Sequence, residues 1–495
     1  MSDLTKKFHK VLLIAPPNTI SKTSVRRLST PIGLLYVAAA LENAGYVVHI
    51  LDSTMEGYFT TSMNGDLLTY GLSPEETKKK IIEINPDIVG VSSMFTARQK
   101  NAEAICRLVK EACPQVPIVL GGIHPSLFSR DCLSSEFVDY VVIGEGEERL
   151  PRLLADLNAG KDEFDFDGVG FKKNGRIIIN PLAVRIKDLD SIAPPARHLV
   201  DLEKYIRIGV PFAPFSRRER VEQILTSRGC PNGCNFCATV NYWGRYFRMR
   251  SVDNVMAEVD FLVKNYGIEE LQFVDDNITV DRARAMEIFT RLVPYNLSWC
   301  TPNGLSARTL DPEMLKLMAK SGAYQITIAI ESGSDRVLKQ IVHKLVPPKE
   351  RIIELVKAAQ EAGIDVHGMF IVGFPGETKE EMMTTLDYPF DVGFDSASFF
   401  IANPIPGSEL YAECQRKGYL VENSQVDFKS AEINIPTDSS DFVMPKEEMI
   451  KLVDDYTHKL NELSKNKNPE KWNRKFEQFL KRHGDQADLI LGRVT

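Results

Sequence analysis

Residues Gln223-Ile-Leu-Thr-Ser-Arg-Gly-Cys-Pro-Asn-Gly-Cys-Asn-Phe-Cys237 place three cysteines on one short loop behind an apolar run. Cys230, Cys234 and Cys237 have the spacing C-x3-C-x2-C. A four-iron cluster usually takes four cysteine thiolates, so three thiolates would leave one iron with an open position. An open position on a metal is where chemistry can occur, as in catalytic zinc sites. The loop therefore predicts an iron–sulfur site with a free corner.

Structural zinc is the alternative for the same three thiols. Zinc would take a fourth Cys or His at ribbon-like spacing, but the next cysteine is Cys300 and the nearest downstream histidine is His343. A disulfide framework is disfavoured because three neighbouring thiols cannot all pair. The chain has eight cysteines in 495 residues, a usage typical of reducing compartments.

Composition sets broad limits on the class of protein. The length allows roughly two to four domains, and 43% hydrophobic with 26% charged residues is ordinary for a globular protein. A formal net charge of −7 provides no basic field to recruit nucleic acid. The apolar run at residues 11–15 is too short for a signal peptide, and residues 31–41 would cross about half a membrane. We expect a cytoplasmic protein with no transmembrane segment and no nucleic-acid partner.

Residues 1–150 read as a doubly wound, Rossmann-like parallel sheet. Continuous Val/Ile/Leu runs recur at 11–15, 47–51, 87–92, 116–120 and 138–143, with helix-sized intervals between them. No G-x-G-x-x-G follows the first run, which disfavours a dinucleotide. Ligands of such sheets bind beyond the carboxyl ends of the strands. The candidate residues at these ends are Pro16, Ser92, Ser93, Gly121, Gly122, His124, Gly144, Glu145, Gly146 and Glu147.

A second strand–helix alternation follows a connecting region at 151–215, where Asn174-Gly175 indicates a small hairpin. Within 216–425, strands are expected at 223–226, 271–274, 297–301, 325–330, 366–372 and 396–401. Helical patterns lie between them, so the pattern predicts a partial (β/α)6 TIM-like barrel with its active site at the carboxyl face. Residues 426–495 are expected to be mainly helical, beginning at Pro445.

Residues 241–250 follow the cysteine loop and combine aromatic side chains with arginines. The aromatics could wall a site against water or pack at the start of a helix. Arg245, Arg248 and Arg250 could meet an anionic substrate or cover the surface.

The cysteine spacing, with Phe236 just before the third cysteine, resembles the signature of the radical SAM enzymes. The first domain resembles the cobalamin-binding domain that precedes the radical SAM domain in one large subfamily. The stretches that carry this second resemblance are Val89-Gly-Val-Ser92, Gly121-Gly-Ile-His-Pro125 and Gly144-Glu-Gly-Glu147. Together the resemblances cover residues 9–420. They imply a [4Fe-4S] cluster on the three cysteines, S-adenosylmethionine (SAM) at its open iron, and cobalamin on the first domain.

The family resemblance also assigns residues to each cofactor. The methionyl amine of SAM would meet Asp275 and Asp276, its ribose or methionyl part Glu331, and its carboxylate Lys344. The full set implied for SAM is Phe236, Asp275, Asp276, Glu331, Ser332, Lys344, Gly373 and Gly376. Cobalamin would take the strand-end residues of the first domain. The Asp-x-His-x-x-Gly loop that supplies a cobalt ligand elsewhere is absent, and His124 is expected to pack in its loop or contact the corrin tail rather than bind cobalt.

The implied reaction begins with reductive cleavage of SAM at the cluster. The resulting 5′-deoxyadenosyl radical would abstract hydrogen from an unactivated carbon, which would then take a methyl group from methylcobalamin. The partners would be a small-molecule or natural-product substrate and a low-potential electron donor such as flavodoxin or ferredoxin. A cyclase or rearrangement enzyme without methyl transfer stays open as an alternative, as does a non-catalytic cobalamin or metal sensor.

Overall fold

The computed structural model describes residues 7–213, 215–420, 441–482 and 484–486. The chain divides into two compact units, one running to Arg207 and the other beginning at Ile208. Within the described ranges, every helix is too short or too polar to cross a lipid bilayer.

The strands of the first unit are β1 (Lys10–Ala15), β2 (Asn18–Ser21), β3 (Val47–Asp52), β4 (Thr61–Asn64), β5 (Leu67–Tyr70), β6 (Ile88–Ser92), β7 (Ile118–Gly121), β8 (Tyr140–Val142), β9 (Val169–Lys173) and β10 (Arg176–Asn180). Its helices are α1 (Ile32–Asn43), α2 (Ser53–Glu56), α3 (Pro74–Ile84), α4 (Gln99–Ala112), α5 (Ile123–Leu127), α6 (Ser129–Ser134), α7 (Gly146–Asn158) and α8 (Leu202–Ile208), the last ending at the boundary.

The strands of the second unit are β11 (Val221–Ile224), β12 (Ser227–Arg228), β13 (Arg248–Met249), β14 (Glu270–Phe273), β15 (Ser298–Leu305), β16 (Ala323–Glu331), β17 (Asp365–Val372) and β18 (Ser396–Ile401). Its helices are α9 (Thr239–Trp243), α10 (Val252–Tyr266), α11 (Arg282–Leu292), α12 (Pro312–Lys320), α13 (Lys349–Glu361), α14 (Lys379–Val392), α15 (Glu409–Arg416), α16 (Lys446–Lys467) and α17 (Pro469–Arg482).

The main sheet of the first unit has the order β10-β9-β8-β7-β6-β1-β3. The five strands from β3 to β8 are parallel, which confirms the doubly wound α/β fold. Alternate residues of β1 enter two cores: Val11 and Leu13 pack on the side of α1 and α7, and Leu12 and Ile14 on the side of α4. Burial on both faces explains why these strands read as continuous apolar runs.

Two antiparallel additions surround this parallel sheet. The predicted hairpin is β9–β10, whose turn residues Asn174 and Gly175 have positive φ, and β9 continues the main sheet by pairing with β8. A second small sheet, β2-β5-β4, was not predicted. Its signal in the sequence is Asn64-Gly65 between two short alternating runs, a common hairpin turn.

The six-stranded sheet of the second unit runs β11-β14-β15-β16-β17-β18, with every neighbouring pair parallel. This order confirms the partial (β/α)6 barrel. Side-chain caps define where its helices begin: Ser251 caps α10, Asp281 caps α11, and Thr378 forms a capping box with Glu381 on α14. The helix α16 begins after Pro445, as predicted, and packs against β18.

Candidate active site

The three cysteines of the barrel lie on the loop after its first strand, and all three thiols are free and partly buried. The strand β11 ends at Ile224, earlier than the expected Thr226. Thr226 leaves the ladder because its N–H donates to the Asp275 carboxylate at 3.1 Å and its hydroxyl donates at 2.7 Å. The Ser227 hydroxyl donates to the same carboxylate. The base of the cysteine loop is therefore fixed to the carboxyl end of β14.

The cysteine loop is held along its length by backbone contacts. The Asn235 N–H donates to Val342 O at 3.0 Å, and the Leu410 N–H donates to Asn235 O at 2.8 Å. The Asn235 side-chain oxygen is buried and has no hydrogen-bond donor among the described residues. Among all the described residues, no three His, Cys, Asp or Glu side chains lie close enough together to hold a single metal ion.

A buried arginine network that sequence reasoning missed supports this loop from below. Arg250 pairs with Glu258 and donates to Leu225 O, and Arg284 donates to Thr226 O at 2.8 Å and to Arg250 O at 2.7 Å. Arg250 is 5% exposed, so the expectation that it meets a substrate or covers the surface is wrong. Its guanidinium instead satisfies backbone carbonyls beneath the cysteines, a buried role that Arg readily takes.

The two carboxylates predicted for the SAM amine lie side by side in different surroundings. Asp275 is buried, and burial raises its pKa although Ser227 and Thr226 donate to it. Asp276 accepts from the Gly229 N–H at 3.1 Å, directly before Cys230, and burial raises its pKa to about 6. Asp276 is the less enclosed of the two, so it has more room for a further donor.

Glu331 and Lys344 form a buried ion pair at the carboxyl end of β16. Lys344 Nζ lies 2.8 Å from Glu331 Oε1 and 2.7 Å from Ala329 O. Glu331 has φ +74° at a register shift between β16 and β17, a backbone strain that proteins usually keep at functional sites. A short π-helical turn, Val337–Val342, carries the chain to Lys344. The Ser332 hydroxyl lies 3.0 Å from that of Thr385 on α14.

The turn after β17 brings Gly373 and Gly376 beside the C-terminal region. Both have φ +81°, and a Cβ on Gly373 would lie 2.3 Å from the Met449 sulfur. Glu377 Oε2 accepts from the Gly373 N–H at 2.6 Å, whereas its Oε1 is buried without a donor among the described residues. The Phe236 ring lies 6.1 Å from the Phe374 ring, so this turn meets the cysteine loop.

The inner wall of the barrel at β17 and β18 is partly open and carries both polar and apolar side chains. Val366, Gly368, Phe370 and Val372 are buried on one face of β17, and His367, Met369 and Ile371 on the other are half-buried. The His367 ring nitrogens lie 2.8 Å and 3.0 Å from the hydroxyls of Ser396 and Ser398 on β18. Interiors of complete barrels are filled by side chains, so the half-exposed wall here leaves space for a ligand.

The predicted ligand edge of the first unit gathers at the ends of β6 and β7, where Ser92 pairs with Gly121. Gly122 has φ +112°, and a Cβ there would lie 2.6 Å from Ser93 O. A Cβ on Gly121 would have no atom of the described residues within 4 Å, apart from its chain neighbours. The Ser93 hydroxyl is buried with no hydrogen-bond partner in the described ranges. His124 stacks on Phe128, and burial lowers its pKa to about 4, so the ring is neutral.

Other predicted residues of this edge make structural contacts. Glu145 is buried and accepts from the Ile186 N–H at 3.0 Å, and the Gly144 N–H donates to the Ser126 hydroxyl at 2.9 Å. Pro16 O accepts from the Thr54 hydroxyl at 3.1 Å. Gly146 and Glu147 lie in the first turn of α7.

Comparison with known proteins assigns both units. Residues 224–388 match the Radical SAM superfamily, and residues 19–154 match the B12 binding domain. The cytidylyl-2-hydroxyethylphosphonate methyltransferase of Streptomyces wedmorensis is 39% identical over 87% of this chain and 87% of its own. The chain belongs to the cobalamin-dependent radical SAM enzymes. An uncharacterized methyltransferase of Pyrococcus horikoshii is 32% identical to this radical SAM enzyme over 82% of the chain and 83% of the relative.

Solved structures share the fold of this radical SAM enzyme. The radical SAM methyltransferase TsrM of Kitasatospora setae superposes with a TM-score of 0.66 at 20% identity, covering 83% of this chain and 77% of that one. The cobalamin-dependent radical SAM enzyme OxsB superposes with a TM-score of 0.63 at 17% identity, covering 90% of this chain and 61% of OxsB.

The cofactors of this radical SAM enzyme are therefore a [4Fe-4S] cluster, SAM and cobalamin. Its residues fit all three. Three free thiols on one loop are cluster ligands by type. Among the described residues, one carboxylate oxygen of Glu377 and the Ser93 hydroxyl are buried without a hydrogen-bond partner. Buried polar atoms of this kind can be satisfied by a bound group.

Proposed function

We propose that this enzyme transfers a methyl group to an unactivated carbon of a small polar substrate. When bound, the cluster and SAM supply a 5′-deoxyadenosyl radical and cobalamin supplies the methyl group. The observation that carries the proposal is the free-thiol loop anchored at the carboxyl end of the first barrel strand in a chain with a B12 binding domain. The Streptomyces wedmorensis and Pyrococcus horikoshii relatives, at 39% and 32% identity, are methyltransferases by name, which favours methylation over cyclisation or a sensor.

The second unit provides the cluster and SAM residues of this proposal. Cys230, Cys234 and Cys237 would hold the cluster, and Asp276 would accept from the SAM ammonium because Asp275 is committed to the loop. The Glu331–Lys344 pair would position its neighbours at the carboxyl end of β16. The other residues proposed to line the SAM site are Phe236, Ser332, Gly373 and Gly376.

The first unit would hold cobalamin at the carboxyl ends of its strands. In the part of the chain that the structure describes, Gly121 borders open space and the Ser93 hydroxyl has no hydrogen-bond partner. His124 packs beside them on Phe128. The remaining residues proposed for this site are Pro16, Ser92, Gly122, Gly144, Glu145, Gly146 and Glu147. Of these, Glu145 would act by holding the backbone at Ile186 rather than by contacting the corrin.

The substrate we propose is a nucleotidyl phosphonate or a close analogue. The support is the 39% identity to a relative whose name gives cytidylyl-2-hydroxyethylphosphonate as its substrate. The half-open wall with His367, Ser396 and Ser398 offers hydrogen bonds to such a polar molecule. We place the enzyme in the cytoplasm, where a low-potential donor such as flavodoxin or ferredoxin would reduce it.

Anaerobic reconstitution tests the proposal. The reconstituted enzyme is given cobalamin, dithionite, SAM with a deuterated methyl group and cytidylyl-2-hydroxyethylphosphonate. We expect 5′-deoxyadenosine and a product carrying the label, both lost in Cys234→Ala. An intact cluster without 5′-deoxyadenosine would refute the radical reaction. Formation of 5′-deoxyadenosine with an unlabelled, rearranged product would support the cyclase alternative.

A further inference from the structure

Lys344 carries a buried positive charge at the carboxyl end of β16. Its side chain is 6% exposed, and that of its partner Glu331 is 8% exposed. The ammonium lies 2.8 Å from Glu331 Oε1 and 2.7 Å from Ala329 O. Burial alone would lower the pKa of Lys344, but the Glu331 carboxylate raises it above its ordinary value. The ammonium is therefore charged at neutral pH, and a buried charge acts strongly on its neighbours because little water screens it.

The turn that carries Lys344 packs against the cysteine loop. The Asn235 N–H, directly after Cys234, donates to Val342 O at 3.0 Å, two positions before Lys344. His343 has φ +59° and ends the π-helical turn at this point. A backbone hydrogen bond thus fixes the cysteine loop to the segment that positions the ammonium.

The charge of Lys344 reaches two of the three cysteine thiols. Burial raises the pKa of Cys230 and that of Cys234, and the Lys344 ammonium acts against this rise at both thiols. The Glu331 carboxylate acts in the opposite sense on Cys234, but less than Lys344 does. The ion pair therefore presents its positive end to the cysteine loop.

We propose that the buried Lys344 ammonium raises the reduction potential of the [4Fe-4S] cluster, and that Glu331 holds the ammonium in place and offsets part of its effect. The inference rests on the proposed function, because that function needs a cluster on the three cysteines. In the reduction one electron passes from a reductant to the cluster, and no bond forms or breaks. The reduced site is one charge more negative, so a nearby fixed cation stabilises it more than the oxidised site. Net charge around a cluster is one determinant of its potential.

This role is separate from the contact with the SAM carboxylate that the family resemblance implies for Lys344. A charge that sets the potential acts before SAM binds, whereas a SAM ligand acts only when SAM is present. The test is therefore made on the reconstituted enzyme without SAM. Titanium(III) citrate and redox mediators set the potential, and electron paramagnetic resonance follows the reduced cluster.

Three variants give different expected potentials. Lys344→Met should shift the equilibrium for one-electron reduction about tenfold toward the oxidised cluster, which lowers the midpoint potential by about 59 mV. Lys344→Arg keeps the charge and should stay close to wild type. Glu331→Gln should raise the potential by a smaller amount, because it removes the carboxylate that offsets Lys344. Shifts of opposite sign within one ion pair are expected from charge and not from a general loss of structure.

Lys110→Met is the matched control. Lys110 makes the same two kinds of contact in the first unit, where its ammonium lies 2.8 Å from Asp139 Oδ2 and 3.0 Å from Val116 O. Loss of this charge should leave the midpoint potential of the cluster unchanged.

Equal potentials in wild type and Lys344→Met would overturn the inference, and weaker SAM binding as the sole change would assign Lys344 to the SAM carboxylate. A fall in both Lys344→Met and Glu331→Gln would also overturn it. If Lys344→Met holds no cluster, measured as iron and sulfide content, Glu331→Gln decides, since the absence of a rise contradicts the inference. A wild-type chain that binds no four-iron cluster, or forms no 5′-deoxyadenosine with dithionite, would instead refute the proposed function.

Discussion

At the scale of single residues, side chains of the same type in this site differ in burial and in hydrogen-bond partners. Asp275 and Asp276 are adjacent, yet one is enclosed by three donors from Thr226 and Ser227 and the other meets only the Gly229 N–H among the described residues. Glu377 and Glu381 differ in the same way. Glu377 is buried at the turn after β17, whereas Glu381 pairs with Arg336.

Glu377 should make stability depend on pH. Burial raises its pKa from 4.5 to about 7 although Phe374 and Gly373 donate to it, so the folded chain binds this proton more tightly than the unfolded chain. Its stabilising contribution is complete below about pH 4.5 and is lost as the pH rises through 7, by about 3 kcal/mol in total. We expect Glu377→Gln to reduce the fall in Tm between pH 5 and 8, measured by calorimetry.

Glu381→Gln is the matched control for that measurement. The Arg336 guanidinium lowers the Glu381 pKa to about 2, so the contribution of this carboxylate is constant from pH 5 to 8. The variant should lose a fixed amount of stability across that range. If wild type and Glu377→Gln have the same pH dependence, the Glu377 carboxyl does not titrate there.

At the scale of elements, the residues that we propose for the cofactors lie mainly at the ends of strands and on the loops that follow them. The junction between β7 and α5 is an example, because its two glycines, Gly121 and Gly122, differ. Gly122 needs its positive φ to bring the loop against Ser93 O, whereas a Cβ on Gly121 would point into space that none of the described residues fills. We therefore expect a conformational requirement at Gly122 and a ligand requirement at the adjacent Gly121.

Alanine substitutions should separate these two requirements. Gly122→Ala is expected to destabilise the apoprotein by about 1–3 kcal/mol, because φ +112° is strained for alanine. Gly121→Ala should leave the apoprotein's Tm unchanged and weaken cobalamin binding, since the new methyl group fills ligand space. Equilibrium binding followed by absorbance would measure the affinity. Unaltered cobalamin affinity in Gly121→Ala would place the corrin elsewhere.

At the scale of the whole molecule, two units with separate sheets divide the cofactors. All three tryptophans, Trp243, Trp299 and Trp472, belong to the unit that begins at Ile208. Trp299 is fully buried against Phe273 and Phe289 in the barrel. Tryptophan fluorescence therefore reports the folding of this second unit, whereas circular dichroism reports the folding of both units.

This division predicts that each cofactor stabilises one unit. A ligand that binds only the folded state raises the melting temperature of the unit that holds it. We expect SAM, with the cluster loaded, to raise the midpoint temperature of the unfolding transition that tryptophan fluorescence follows. Cobalamin should raise a transition visible by calorimetry and circular dichroism. If cobalamin raised only the midpoint temperature of the fluorescence transition, the assignment of cobalamin to the first unit would be contradicted.

Local patterns in the sequence were enough to predict the fold class and the metal loop. Continuous apolar runs indicate strands buried on two faces, and the bounds of β18 are the 396–401 expected from the sequence. The three cysteines are neighbours along the chain, so their shared site needs no knowledge of distant residues. The Asn174-Gly175 hairpin is local in the same sense.

Contacts between distant residues were decided only by the tertiary structure. Asp275 accepts a hydrogen bond from Thr226, 49 positions away. Lys344 forms an ion pair with Glu331 after a π-helical turn that the hydrophobic periodicity does not predict. Arg250 and Tyr246 belong to one polar segment, yet one is buried beneath the cysteine loop and the other faces solvent. The sequence therefore determined which chemical groups are present. The tertiary structure determined which of these groups form hydrogen bonds that hold the loops and which can still bind a ligand. The reason is that neighbouring side chains in a parallel barrel come from strands that are distant in the sequence.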